Sequence, residues 1–138
     1  MSDPRVSIVL PVFNAEETIA EALESCLQQS MESFEVVVVL DGCTDRSGEI
    51  VSSYGDPRIR VIEKEHQGVR QASEEAMAAS RAPIIARMDA DDISHPDRLA
   101  WQYDFLASSP DFSAVSGWVH LLDPQGEGMQ RYVDWVNG

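Results

Sequence analysis

The chain has 138 residues, 43% of them hydrophobic and 25% charged, which is the makeup of one folded domain around a single core rather than of a disordered or collagenous chain. Its 24 acidic against 10 basic side chains give a net charge of −14, which repels phosphate backbones and anionic lipid and argues against nucleic acid or bare membrane as partners. No apolar stretch reaches the ~20 residues that span a bilayer, Met1 to Arg5 lack a signal-peptide core, and Cys26 and Cys43 show neither zinc nor CxxC spacing. A cytoplasmic location is expected, with any association with the inner membrane made through a partner or a segment outside this chain.

In chain order, the first strand reads Val6 to Phe13, interrupted by Pro11, and a helix follows from about Ala15 to Gln28. Asn14 with Glu17 three residues on suggests a capping box. Ile19, Ala22, Leu23, Cys26 and Leu27 then form one apolar stripe. The second strand, Phe34 to Leu40, carries four consecutive valines, Val36 to Val39. Such a run without alternation predicts a strand buried on both faces, as in a parallel sheet covered by helices on each side.

Asp41-Gly42 then turns into a helix over about Asp45 to Tyr54, and a third strand runs from Ile59 to Glu63. Gln67 to Arg81 reads as an Ala-rich helix, Pro83 to Met88 as a fourth strand, and Pro96 as the start of a helix carrying Leu99, Tyr103 and Leu106. Ala114 to Leu122 reads as a last strand. The repeated strand-helix order predicts an α/β three-layer sandwich with a mostly parallel central sheet.

In such sheets ligands bind beyond the carboxyl ends of the strands. Three marked segments fall there: Pro11-Val12-Phe13-Asn14, Asp41-Gly42 and Asp89-Ala90-Asp91-Asp92. If the fourth strand continued through the acidic segment, Asp89 and Asp91 would share a face roughly 6.5 Å apart. Two charges at that distance repel by about 2.5 kcal/mol at an effective dielectric of about 20. A hard divalent cation between them would turn that cost into a binding site; a solvated acidic turn is the other reading.

Other sites find no support. GxGxxG and Walker A sequences are absent after the first strand, and the lack of a basic, Gly-rich phosphate loop disfavours a sugar nucleotidyltransferase. An EF-hand starting at Asp89 would need Gly and Glu where Ser94 and Ala100 stand. His66, His95 and His120 show no ligand spacing, His95 reading as a residue that starts the Pro96 helix. Trp101, Trp118 and Trp135 read as core or interface aromatics rather than sugar platforms.

Taken together, Val6 to Asn14, Phe34 to Asp45, Arg87 to Asp92 and the following Pro96-Asp97-Arg98-Leu99 resemble the family 2 glycosyltransferases of the GT-A fold, over nearly the whole chain. The resemblance implies a hexosyltransferase-like enzyme of cell-wall or polysaccharide synthesis. It would move a sugar with inversion from a nucleoside diphosphate donor, UDP-sugar by family default, to a hydroxyl of a saccharide, lipid-linked or protein acceptor, with Mg²⁺ or Mn²⁺. It further implies that Pro11, Val12, Phe13 and Asn14 flank the base, that Asp41 accepts from the base ring N–H, and that Asp89 meets the ribose or a metal-bound water. Asp91 would ligate the metal and Asp92 would face the donor sugar or support its loop.

Two departures stand out: Leu40 replaces the first Asp of the family's DDGSTD, and Ala72-Ser73-Glu74 replaces its ARN. Arg70, one turn away, could stand in for the lost arginine at the donor sugar or be a surface charge. Asp111, Asp123, Glu127 and Asp134 are unconvincing as the general base, which is expected beyond Gly138. Residues 1–138 are thus expected to be a single donor-binding domain, the acceptor part lying outside it. The alternative is a non-catalytic nucleotide-binding or interaction module of the same fold. Uncovered apolar surface would favour a homodimer.

Overall fold

The structure, a computed structural model, describes residues 3–122 and 127–138. Strands β1 (Val6–Val12), β2 (Phe34–Asp41), β3 (Ile59–Lys64) and β4 (Ile84–Arg87) form one parallel sheet in the order β3-β2-β1-β4. Helices α1 (Ile19–Leu27), α2 (Ser47–Ser53), α3 (Val69–Ala79), α4 (Arg98–Ser108) and α5 (Glu127–Asn137) complete the described elements. None of them is long and apolar enough to cross a membrane.

Side chains of successive strand residues point to opposite faces, and the core divides accordingly. Val6, Ile8, Leu10 and Val12 of β1 join Val36, Val38 and Leu40 of β2 beneath Ile19, Leu23, Val51 and Leu99 of α1, α2 and α4. On the other face Val9, Val37 and Val39 meet Ala72 and Ala76 of α3, whose small side chains let the helix lie close to the sheet. All eight residues of β2 are buried, as the valine run predicts. The expected three-layer α/β sandwich is therefore present.

Pro11 lies inside a central strand, yet no ladder bond is lost there. Val9 C=O accepts from Met88 N–H, so the odd residues of β1 direct their backbone groups toward β4. β4 pairs only as far as Val9 with Arg87, and Pro11 falls past that point.

The helices begin later than the sequence reading places them. α1 starts at Ile19, preceded by Thr18 without a side-chain cap, and Ala15 to Thr18 form a turn instead. The expected capping box is absent because the Asn14 carboxamide oxygen accepts from Thr44 N–H at 2.8 Å. The predicted strand at Ala114 to Leu122 is also corrected: no strand forms there. The N–H and C=O of Val119 are instead both bound by the Asn137 carboxamide of α5, at 2.8 Å each. The reading did not foresee α5. Nor are the tryptophans core residues, since Trp101, Trp118 and Trp135 are 62%, 79% and 78% exposed.

Candidate functional site

The strand order decides where a ligand can sit. From β1 the chain winds outward through β2 to β3, then returns to add β4 on the other side of β1. β1 and β4 are therefore neighbours, and the loops that follow them bound a crevice beyond the carboxyl ends of these two strands. A cleft of about 570 Å³ occupies it, lined by Pro11, Phe13, Asn14, Ala15, Glu16, Glu17, Thr18, Asp45, Val69, Asp89, Ala90 and Asp91. Five of the expected residues, Pro11, Phe13, Asn14, Asp89 and Asp91, are brought together there.

One wall is a zipper between the loops after β1 and β2. Asn14, at φ +45°, occupies the left-handed region that Asn tolerates better than most residues. Its carboxamide binds Thr44 twice, Ala15 N–H donates to Ser47 Oγ at 2.8 Å, and Glu16 N–H donates to Asp45 Oδ2 at 3.0 Å. Arg46 N–H in turn donates to Glu16 Oε2 at 3.0 Å. Glu16, Thr18 and Asp45 escaped the sequence reading because it assigned Ala15 onward to one helix and Asp45 onward to the next. The signal that could have found them is the run of polar residues on both sides of the two strand ends.

The opposite wall is the acidic tip. Met88 N–H extends the β1 pairing one step beyond β4, after which Asp89 to Asp92 make a turn closed by Asp92 N–H on Asp89 C=O at 3.2 Å. Asp89 and Asp91 therefore share the tip through a turn, not through strand alternation, which corrects the pleat-based spacing. Partial desolvation, then the charges of Asp89 and Asp91, push the Asp92 carboxyl above the usual carboxylate range. Arg87 Nη2 lies 3.1 Å from Asp89 Oδ1 as an exposed pair. Among the described residues no Lys or Arg lines the cleft itself.

The segment that follows the turn is anchored by the buried Gln29. Its Nε2 donates to Ser94 Oγ and His95 C=O at 3.2 and 2.8 Å, while its Oε1 accepts from Leu99 N–H at 3.0 Å. His95 does start the helix, its Nδ1 accepting from Asp97 N–H at 3.1 Å.

The remaining expected residues stand outside the cleft lining. Val12 is buried in the core. Arg70 lies on the outer face of α3, its side chain 89% exposed and 2.9 Å from Glu74. Asp92 closes the acidic turn from outside. Asp41, 1% exposed, turns its carboxylate toward the loop before α3. Oδ1 accepts from Gln67 N–H and Oδ2 from Gly68 N–H, both at 2.9 Å, and His66 Nδ1 lies 3.0 Å from Oδ2. Burial pushes the Asp41 carboxyl up, but these hydrogen bonds and the His66 contact outweigh it and leave it below the usual range. Asp111 and Asp134 are exposed and outside the cleft lining, while Asp123 and the Glu127 side chain lie outside the described residues.

The oxygen-rich walls suit a hard divalent cation. Among the described residues no three His, Cys, Asp or Glu side chains converge as a complete cage. A cation at the tip would therefore need most of its ligands from elsewhere, as Mg²⁺ does where one or two carboxylates hold it together with substrate phosphates and water.

Comparison with known proteins bears on this geometry. An uncharacterized glycosyltransferase of Methanocaldococcus jannaschii is 32% identical over 137 residues, covering 96% of this chain and 47% of its own length. S. aureus TarS in complex with UDP superposes at a TM-score of 0.70 with 28% identity, over 75% of this chain and 32% of TarS. A mannosyltransferase of Pyrobaculum calidifontis in complex with GDP-Man and Mn²⁺ gives the same score and identity over 78% of this chain and 34% of its own. The chain thus spans half or less of the length of each of these proteins. The model of glycosyl transferase family 2 matches residues 7–132, and the chain belongs to that family.

Proposed function

We propose that this chain is the donor-binding part of a glycosyltransferase that takes a sugar, with inversion and metal assistance, from a nucleoside diphosphate carrier to a hydroxyl acceptor. The observation that carries the reading is the acid-walled cleft at the carboxyl ends of β1 and β4, which has the exposed aromatic Phe13 on one wall and Asp89 and Asp91 on the other. The aromatic ring suits the flat base and the acidic tip suits a cation on the diphosphate. The likeness to structures holding UDP and GDP-Man with Mn²⁺ supports this assignment.

In this reading Pro11, Phe13 and Asn14 flank the base, with Val12 contributing backbone only and Asp41 at the base end. Asp91, with Asp89 beside it, would hold Mg²⁺ or Mn²⁺. Bound there, the cation would neutralise the charge that gathers on the nucleoside diphosphate as it leaves. The cleft's own contribution is orientation: the loop zipper fixes the wall beneath the base, and Gln29 anchors the segment that follows the acidic turn. Few protein cations face the cleft, so charge balance rests on the metal. The general base belongs outside the cleft residues described.

Calorimetric titration of UDP and of GDP, each with and without Mn²⁺, tests the reading on the wild-type chain and on Asp91→Ala. Metal-dependent binding that Asp91→Ala weakens is the expected result. Binding indifferent to both metal and substitution would overturn it, and the stronger nucleotide identifies the base.

A further inference from the structure

We propose that Arg98 is a positioning residue for the acidic turn: its guanidinium ties the start of α4 back to the end of β4 and so sets Asp89 and Asp91 in place before a cation arrives, an inference that rests on those two residues holding the metal.

The turn from Asp89 to Asp92 is fastened on both sides. After it, Ser94 N–H donates to the buried Ser25 Oγ at 2.9 Å, and Gln29 holds Ser94 Oγ, His95 C=O and Leu99 N–H. Before it, Met88 N–H pairs with Val9 of β1, so by strand alternation Arg87 C=O faces away from β1. Arg98 Nη2 donates to that carbonyl at 2.9 Å, and Nη1 lies 3.7 Å from Met88 Sδ. Two residues 11 positions apart are thereby joined, and the acidic turn lies in the loop they close.

The guanidinium is itself held. Its Nε donates at 3.1 Å to Gln102 Oε1, one helical turn along α4. All three acceptors are uncharged, so the tie depends on the planar fork of arginine rather than on ion pairing. Asp89 and Asp91 both act on the charge of Asp92, and like charges in one turn would spread a loose loop. Closing the loop beforehand removes that ordering cost from binding.

A positioning role and a simple charge role differ in sign. A positive charge near a cation site repels the cation, so removing it alone would tighten binding. Losing the tie loosens the turn and weakens binding.

The test measures Mn²⁺ binding in the presence of UDP, from the electron paramagnetic resonance signal of free Mn²⁺, for the wild-type chain, Arg98→Met, Arg98→Lys, Gln102→Ala and Asp91→Ala, with urea melts to establish that each is folded. Arg98→Met is expected to weaken Mn²⁺ binding about fivefold, less than the ~10-fold or more that follows loss of a side chain bonded directly to a metal ligand. Arg98→Lys, which keeps the charge without the fork, is expected to stay about threefold below wild type, and Gln102→Ala about twofold below. Should neither Arg98 variant fold, Gln102→Ala carries the test. Unchanged or tighter Mn²⁺ binding in folded Arg98→Met, wild-type binding in Arg98→Lys, or, where neither folds, wild-type binding in Gln102→Ala would overturn the proposal while a loss in Asp91→Ala leaves the donor-site reading intact. A wild-type chain that binds no Mn²⁺ with UDP, or binds it equally well as Asp91→Ala, would instead overturn the donor-site reading, and this proposal with it.

Discussion

The two ends of the sheet handle negative charge in opposite ways. At the amino-terminal end, Glu35 of β2 is 1% exposed and surrounded by donors. Ser7 Oγ and Arg81 N–H each donate to its Oε1 at 2.7 Å, and the guanidinium groups of Arg60 and Arg81 reach Oε2 at 3.1 and 2.9 Å. Ser7 in turn accepts from Ala82 N–H at 3.1 Å. One carboxylate thereby ties together β1, β2, β3 and the loop after α3. At the carboxyl-terminal end, Asp89, Asp91 and Asp92 crowd one turn with a single exposed arginine pair among them. Charge satisfied from within holds the fold; charge left open is available to a ligand that brings a cation.

The largest expected effect comes from breaking the satisfied end. Glu35→Gln should lower unfolding free energy by about 2–3 kcal/mol in urea titrations, less than for a fully enclosed ion pair because Arg60 and Arg81 can return to water. At the open end, Asp91→Ala should weaken UDP binding in the presence of Mn²⁺ about tenfold or more, roughly 1.4 kcal/mol or above, yet leave the urea midpoint unchanged or slightly higher. A clear loss of stability in that variant would break the contrast.

Acid sharpens it further. Burial raises the Glu35 carboxyl, but the Ser7, Arg81 and Arg60 hydrogen bonds outweigh that and bring it from the ordinary 4.5 down to about 2. Because the folded value lies below the unfolded one, this contribution is complete above about pH 4.5 and is lost as pH falls toward about 2. Stability measured over that window should fall steeply for the wild-type chain and less steeply for Glu35→Gln. The smallest effect is expected for Arg70→Ala, whose exposed pair with Glu74 should be worth about 0.5 kcal/mol or less by thermal melting; a marked loss of nucleotide binding there would return Arg70 to the donor site.

Much of the layer structure was legible because it follows from local periodicity. Four valines in a row cannot alternate, and the stripe from Ile19 to Cys26 has one side to bury, so the strand between helices and its covering helix could be read directly. Glu35 was missed although it carried a signal: a lone carboxylate in a strand buried on both faces must find donors. Asn14 was misread because its side chain had two uses within reach, and the Thr44 backbone outcompeted its own helix. The run from Ala114 to Leu122 failed as a strand because the Val119 backbone pairs with the Asn137 carboxamide instead, a partner that propensity does not reveal.

By itself the sequence determined the order of strands and helices from β1 to α4, the faces they bury, and the three segments at strand ends that could carry chemistry, since these depend on residues near one another in the chain. Tertiary structure alone decided that β4 returns beside β1, and thus that Phe13 and Asp91 wall one cleft while Arg70 stays outside. It also decided that Asp41 spends its oxygens on the His66 loop. Such choices depend on which groups meet across distances of 25 or more positions, and no local pattern of residues encodes those meetings.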